Sequence, residues 1–291
     1  MKKNKTIARP QNFLYPSLTA ALVAGLLLYI YYPTFAWMVD RWIARDSYYS
    51  HGFLIPLVVL FWLWKDRKSL RPSGDRPRAW SYALFFAGAA LQVVSSLLRF
   101  YFLSCFSFIV ILFALTQLLF GSQVFRRAWY QVFFLSLMVP LPLLVISQVT
   151  LQMKFFVATV ATSWIQATGI PAIREGSYIH MPNAVMLVGD PCSGLRSFLA
   201  ILCLGFFLAY DMKSSLRQKI AFIICGWPIA ILANICRVYF LGLVADIYGA
   251  EYSREGSLPH DASGYLVFVI AFFLLLWIRR KMEAMHVRQT A

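Results

Sequence analysis

Runs of about 20 apolar residues recur along this chain, each long enough to carry a helix across the ~30 Å hydrocarbon core of a bilayer. Such runs leave few folds open, because in lipid every backbone amide must find its partner inside the protein. The apolar share is 60% and the charged share 13%, with a mean hydropathy of +0.66. That is roughly half the ~25% charge of water-soluble chains. The expected fold is all-α, a polytopic helical membrane protein, as one integral membrane domain over residues 1–291 with no room for a sizeable soluble domain.

A net charge of +15 raises nucleic acid as a partner, but the basic residues do not gather as a groove. They sit in short clusters between apolar runs: the N-terminus MKKNKTIARP, WKDRKSLRPSGDRPR, the pair at 126–127, DMKSSLRQK and the tail RRKMEAMHVRQ. These hold 19 of the 27 Lys and Arg but 4 of the 12 Asp and Glu. The partner implied is the lipid bilayer, and the positive-inside rule assigns every cluster to the cytoplasm. Apolar runs near 14–36, 51–64, 80–98, 102–120, 129–148, 192–210, 220–243 and 262–278 then give about eight transmembrane helices with both termini inside. The basic start resembles a signal peptide, but the run after it is too long for one and is expected to be retained as the first helix.

Residues 151–169, LQMKFFVATVATSWIQATG, are long enough for a ninth span, which would force DMKSSLRQK outside against its charge. Gln152, Thr159, Ser163 and Gln166 recur at helical spacing, so an outer-face amphipathic or re-entrant helix is expected. The β-favouring runs SYIHM and AVMLV flank a Pro-Asn turn and predict a short hairpin on the same face.

Five cysteines without CxxC spacing or a neighbouring His cluster imply neither a zinc site nor a disulfide framework. Four lie within apolar runs as small buried side chains. Cys192, between a proline and a glycine, opens the sixth span at its outer end. Asn234 and Arg237 fall in the outer half of the seventh span, and His260 precedes the eighth. Separately, each has a plain reading: a structural thiol, an arginine reaching for headgroups, a solvated imidazole. Together they put a nucleophile, a cation and a general base on one leaflet. A thiol in the first turn of a helix, with Ser193 and Gly194 following and Arg196 at i+4, would see positive potential that favours thiolate. Arg237 would face a protein-lined cavity, oriented by Asn234 at i−3, and suits the oxyanion of a tetrahedral intermediate. His51, also at the outer end of a span, competes with His260.

PCSGLRS at 191–197, NICR at 234–237 and HDASG at 260–264, with YYSHGFLIP at 48–56 upstream, resemble the exosortase/archaeosortase family of membrane transpeptidases over essentially the whole chain. The resemblance implies a Cys nucleophile, an Arg and a His, which carry over to Cys192, Arg237 and His260 by motif order. It implies no cofactor. It also implies a substrate class: exported proteins ending in a Pro-Glu-Pro-like motif, a transmembrane helix and a basic tail, cleaved at the outer face of the cell (inner or plasma) membrane through a thioester and passed to an acceptor. Pro191 stands where many members have Ala. Two other functions remain at this stage, a transporter of an anionic substrate using Arg237 and Arg196 and a membrane acyltransferase using the same thiol on a lipid ester.

Overall fold

The computed structural model describes residues 14–44, 47–70 and 77–290. The basic N-terminus and residues 71–76 of the basic loop lie outside the described residues. The helices are α1 (Leu14–Ile30), α2 (Tyr32–Ile43), α3 (Leu54–Asp66), α4 (Ala79–Leu98), α5 (Tyr101–Phe134), α6 (Leu143–Ala167), α7 (Leu195–Tyr210), α8 (Leu216–Tyr248) and α9 (Leu258–Thr290). Between α6 and α7 lie three short strands, β1 (Ile173–Glu175), β2 (Tyr178–His180) and β3 (Val185–Leu187). The protein is a helical, multi-pass membrane protein.

Among the described residues, five helices can cross a membrane by length and composition: α4, α5 with the turn after it, α6, α8 and α9. The pair α1/α2, bent by 65°, makes a sixth if it is one span. This differs from the eight expected, for local reasons. α3 and α7 have 13 and 16 residues, short of the ~20 a straight crossing takes. The break after residues 102–120 falls at Gly121 rather than at the basic pair expected to separate them from 129–148. α5 runs through the basic pair at 126–127 to Phe134, broken only at Gly121, whose φ of 83° and ψ of 179° no helical residue adopts. Residues 151–167 are likewise not a separate amphipathic helix. They continue α6, a 25-residue helix apolar enough to span, and two of the four polar side chains, Thr159 and Ser163, bond back to their own helix. Thr159 Oγ1, for example, donates to Phe155 O at 2.7 Å, which removes the polarity the expectation rested on.

The chain divides into two compact units. The first, residues 1–41 and 53–139, packs α4 against α5 so closely that a Cβ on Gly88 would come within 2.7 Å of the Ile111 side chain. A buried polar seam runs through it: Tyr31 Oη to Ser107 Oγ at 2.5 Å, Thr34 Oγ1 to Ser104 Oγ at 2.6 Å, and Ser104 Oγ donating to Gln92 Oε1 at 2.6 Å. Small side chains and interhelical hydrogen bonds replace the hydrophobic effect, which lipid does not supply between helices.

The second unit, residues 42–52 and 140–291, contains the candidate site. Ser215 and Gln218 form a reciprocal capping box that starts α8. Towards one end of the unit, α7, α8 and α9 share a core of Ile201, Leu208, Phe222, Ala230, Ala271 and Leu275. Towards the other, α6 and α8 pack around the sheet through Val157, Ala161, Ile165, Ile179, Met186 and Leu241. Gly242 permits this approach, since a Cβ there would meet Ile165 Cδ1 at 2.6 Å. The sheet is antiparallel in the order β1-β2-β3, and the expected hairpin is its β2–β3 half.

Candidate active site

Cys192 ends a three-residue 3-10 turn, Asp190–Cys192, rather than opening α7. The Cys192 N–H donates to Gly189 O and the Ser193 N–H to Asp190 O, each at 3.1 Å. Lys154, from α6, forms an ion pair with Asp190 at the start of the turn. Gly194 follows with φ +83°, and α7 begins only at Leu195. This corrects two expectations. The thiol is not in a helical first turn, so Arg196 does not share its face. The Arg196 guanidinium instead lies 5.9 Å from the Tyr48 ring centroid, and its Nε has no hydrogen-bond partner among the described residues.

Gly194 is required twice over. Its positive φ suits only glycine, and a Cβ there would sit 2.6 Å from Asn234 Nδ2. That amide donates to Cys192 O at 2.9 Å, so Asn234 holds the backbone of the thiol's turn rather than Arg237 as expected. Ser193 is fully buried and its Oγ accepts from the Leu195 N–H at 3.3 Å, a helix-start contact.

One turn further along α8, the Arg237 side chain crosses to α9. Nη2 donates to His260 O at 3.2 Å and lies 3.2 Å from His260 Nε2, while Nε donates to Ser263 Oγ at 3.4 Å. Ser263 Oγ donates to His260 O at 2.9 Å, and a Cβ on Gly264 would stand 3.3 Å from Nη2. The spacing of HDASG thus gives α9 a imidazole, a hydroxyl one turn on and a gap for the guanidinium. Ser257 caps the helix, its Oγ accepting from the His260 N–H at 3.4 Å.

His260 Nε2 is 3.3 Å from Cys192 Sγ, and Nδ1 is 3.1 Å from Asp261 Oδ1. The tautomer follows from the partners. A carboxylate only accepts, so Nδ1 carries the proton. A guanidinium only donates, so Nε2 presents its lone pair. In that tautomer Cys192 Sγ and Arg237 Nη2 both stand within hydrogen-bond reach of the one Nε2 lone pair. Cys192 and Arg237 are each 7% exposed and His260 4%, against 53% for the Asp261 side chain.

Burial pushes the Cys192 thiol above its ordinary value of 9.0, Arg237 pulls it down and Glu255 adds to the rise. The expected helix-start thiolate is thus replaced by a protonated thiol beside the His260 imidazole, because desolvation outweighs the pull of Arg237. The thiol opens into a cleft of about 370 Å³ whose walls are β3 on one side of the chain order and Ala250, Ser253, Arg254 and Glu255 on the other. His51 lies in the turn Ser50–Phe53 with its ring 5.9 Å from that of Tyr49, and burial lowers its pKa from 6.5. It is not among the residues lining the thiol's cleft. Among the described residues, no three His, Cys, Asp or Glu side chains gather as a metal site needs.

The family model described as transmembrane exosortase matches residues 42–277, most of the chain and all of this site. The chain belongs to the transmembrane exosortase family. As an exosortase it is a membrane transpeptidase of that family, whose members act on exported proteins with C-terminal sorting signals. No curated protein and no solved structure matches the chain. Sequence reasoning did not single out Asp261 or Ser263 in this exosortase, although both stand in the quoted HDASG. It also missed Glu255 and Lys154, whose parts depend on contacts across the fold that no local pattern records.

Proposed function

We propose that Cys192 is the nucleophile, His260 the general base and acid, and Arg237 the oxyanion-stabilising cation of a cysteine transpeptidase. The observation that carries this reading is the 3.3 Å approach of Cys192 Sγ to the lone pair of His260 Nε2 within a buried cleft. The S–H proton passes to Nε2 as sulfur attacks the scissile carbonyl. Nε2 then bears a proton and repels the guanidinium, which turns to the newly formed oxyanion. Collapse breaks the C–N bond, and the Nε2 proton goes to the departing amine. An acceptor nucleophile loses its proton to Nε2 as it displaces sulfur from the thioester. Asp261 keeps Nδ1 protonated throughout, the tautomer the base needs.

The substrate of this reading is an exported protein ending in a Pro-Glu-Pro-like motif, a membrane helix and a basic tail. The charge pattern of the second unit supports the side of action. Basic segments 211–219 and 279–289 lie at the ends of α7, α8 and α9 remote from Cys192, Arg237 and His260. The positive-inside rule assigns those ends to the cytoplasm, with both termini, and the site to the outer face of the inner or plasma membrane. A substrate with a cytoplasmic basic tail presents its cleavage site at that same face. Co-expression with such a precursor tests the reading: Cys192→Ala is expected to accumulate normally and leave the precursor uncut. Continued processing by that variant refutes it.

A further inference from the structure

The register of the sheet aims a defined set of backbone groups into the thiol's cleft. The Met181 N–H donates to Ala184 O and the Val188 N–H to Ser177 O, both at 2.9 Å. Given the partners Tyr178↔Leu187, Ile179↔Met186 and His180↔Val185, the hydrogen-bonded pairs are 181/184, 179/186 and 177/188. The alternate pairs, His180/Val185 and Tyr178/Leu187, turn their N–H and C=O groups away from each other. On the β2 side β1 takes those groups up, pairing Ile173 with His180 and Glu175 with Tyr178. β3 is an edge of the sheet, and among the described residues no strand lies beyond it. Its outward groups are the Val185 N–H and C=O and the Leu187 N–H, while Leu187 O accepts from the Gly189 N–H at 3.0 Å. Val185 and Leu187 line the same cleft as Cys192 and His260.

We propose that an extended segment of the substrate adds to β3 as a fourth strand, bonding through its own backbone to Val185 and Leu187, and that this laying-down delivers the scissile carbonyl to Cys192. The inference rests on the reading that Cys192 attacks a peptide. Strand addition draws affinity from main-chain bonds and specificity from every second side chain. The chain fixes the register of such a strand relative to the thiol. Residues 188–191 alone separate Leu187 from Cys192, and their turn is fastened by Asn234 and Lys154. Exposed Tyr178, Val185 and Leu187 give the added strand an apolar face to lie beside, and Met186 on the opposite face is locked in the core. A lone three-residue edge strand is short enough to escape pairing with other sheets, yet it offers the three bonds a short recognition segment uses.

The test uses the full chain in liposomes and a synthetic peptide comprising a Pro-Glu-Pro-type cleavage region and its membrane helix. A single N-methyl group is moved one residue at a time along the non-proline positions flanking the scissile bond. Cleavage is expected to fall roughly tenfold at alternate positions and to stay within about twofold at the positions between. Equal losses at adjacent positions, or none, overturn strand addition. On the enzyme, Leu187→Pro deletes the outward N–H without touching the β2 ladder, and edge positions tolerate proline. It is expected to cut about tenfold more slowly, with iodoacetamide alkylation of Cys192 unchanged, whereas Leu187→Ala keeps the N–H, gives up only side-chain contact and is expected to lose clearly less than Leu187→Pro. Wild-type rates from a folded Leu187→Pro overturn the proposal and leave the transpeptidase reading standing. If that variant does not fold, the N-methyl series decides on the wild-type enzyme. Failure of the wild type to cut the unmethylated peptide overturns the transpeptidase reading itself, and the proposal with it.

Discussion

Replacing Gly194 by alanine tests how the turn of the proposed nucleophile is held. Two strains arise at once. A non-glycine residue in the left-handed region costs about 1–2 kcal/mol. The new Cβ also falls 2.6 Å from Asn234 Nδ2, so the amide must leave and Cys192 O loses its buried donor. An abandoned buried acceptor costs about 1–3 kcal/mol, so Gly194→Ala is expected to lose about 2–5 kcal/mol in all. Asn234→Ala alone abandons the same acceptor and loses about 1–3 kcal/mol. The double variant has no amide to collide with and no further bond to lose, so it should match Gly194→Ala alone. Simple addition would predict about 3–8 kcal/mol, which leaves a coupling of about 1–3 kcal/mol for a double-mutant cycle to detect. The assay is equilibrium unfolding in mixed micelles, paired with the rate of Cys192 alkylation, which rises when the freed turn exposes the thiol. Additive losses, or slower alkylation in Gly194→Ala, would refute the argument that Asn234 clamps the turn against a glycine.

Arg237→Lys keeps the charge but not the planar fork that reaches His260 O, Nε2 and Ser263 together, and is expected to lower precursor cleavage about a hundredfold, read by precursor-to-product ratio over time. Asp261→Ala frees the imidazole to protonate Nε2, and a rate loss of roughly tenfold is expected, modest because Asp261 is half exposed. The pH dependence of Cys192 alkylation follows from the raised thiol pKa. Thiolate is the reactive form, so the rate should still be climbing as pH passes 9.0. Glu255→Gln removes a charge that opposes thiolate and moves this profile to lower pH, whereas Arg237→Gln removes the one that favours it and moves the profile higher. Shifts of the opposite sign would disprove the electrostatic account.

The membrane class was legible because apolar length is a one-dimensional property, and so was the meeting of Cys192, Arg237 and His260, which hydropathy and charge placed at one depth. Span boundaries were less so. A basic pair reads as a loop, but α5 carries Arg126 and Arg127 as helical residues past a single glycine break. Polar residues at helical spacing read as an amphipathic face, but a threonine or serine that bonds its own helix at i−4 is no longer polar to its surroundings. The character of the thiol was least legible of all. PCSGLRS looks like a helix start that would yield thiolate, and what denies this is Gly194 in the left-handed region, which delays α7 and leaves the thiol in a desolvated turn. The reason for that glycine is the Asn234 amide, forty positions away on another helix. On the proposed reading a buried neutral thiol needs a base at hydrogen-bond reach, and the same asparagine's helix brings Arg237 to the His260 imidazole proposed to supply one. Asn234 and Arg237 thus share one helix face for different ends, the first fixing where the sulfur sits and the second what its base can accept.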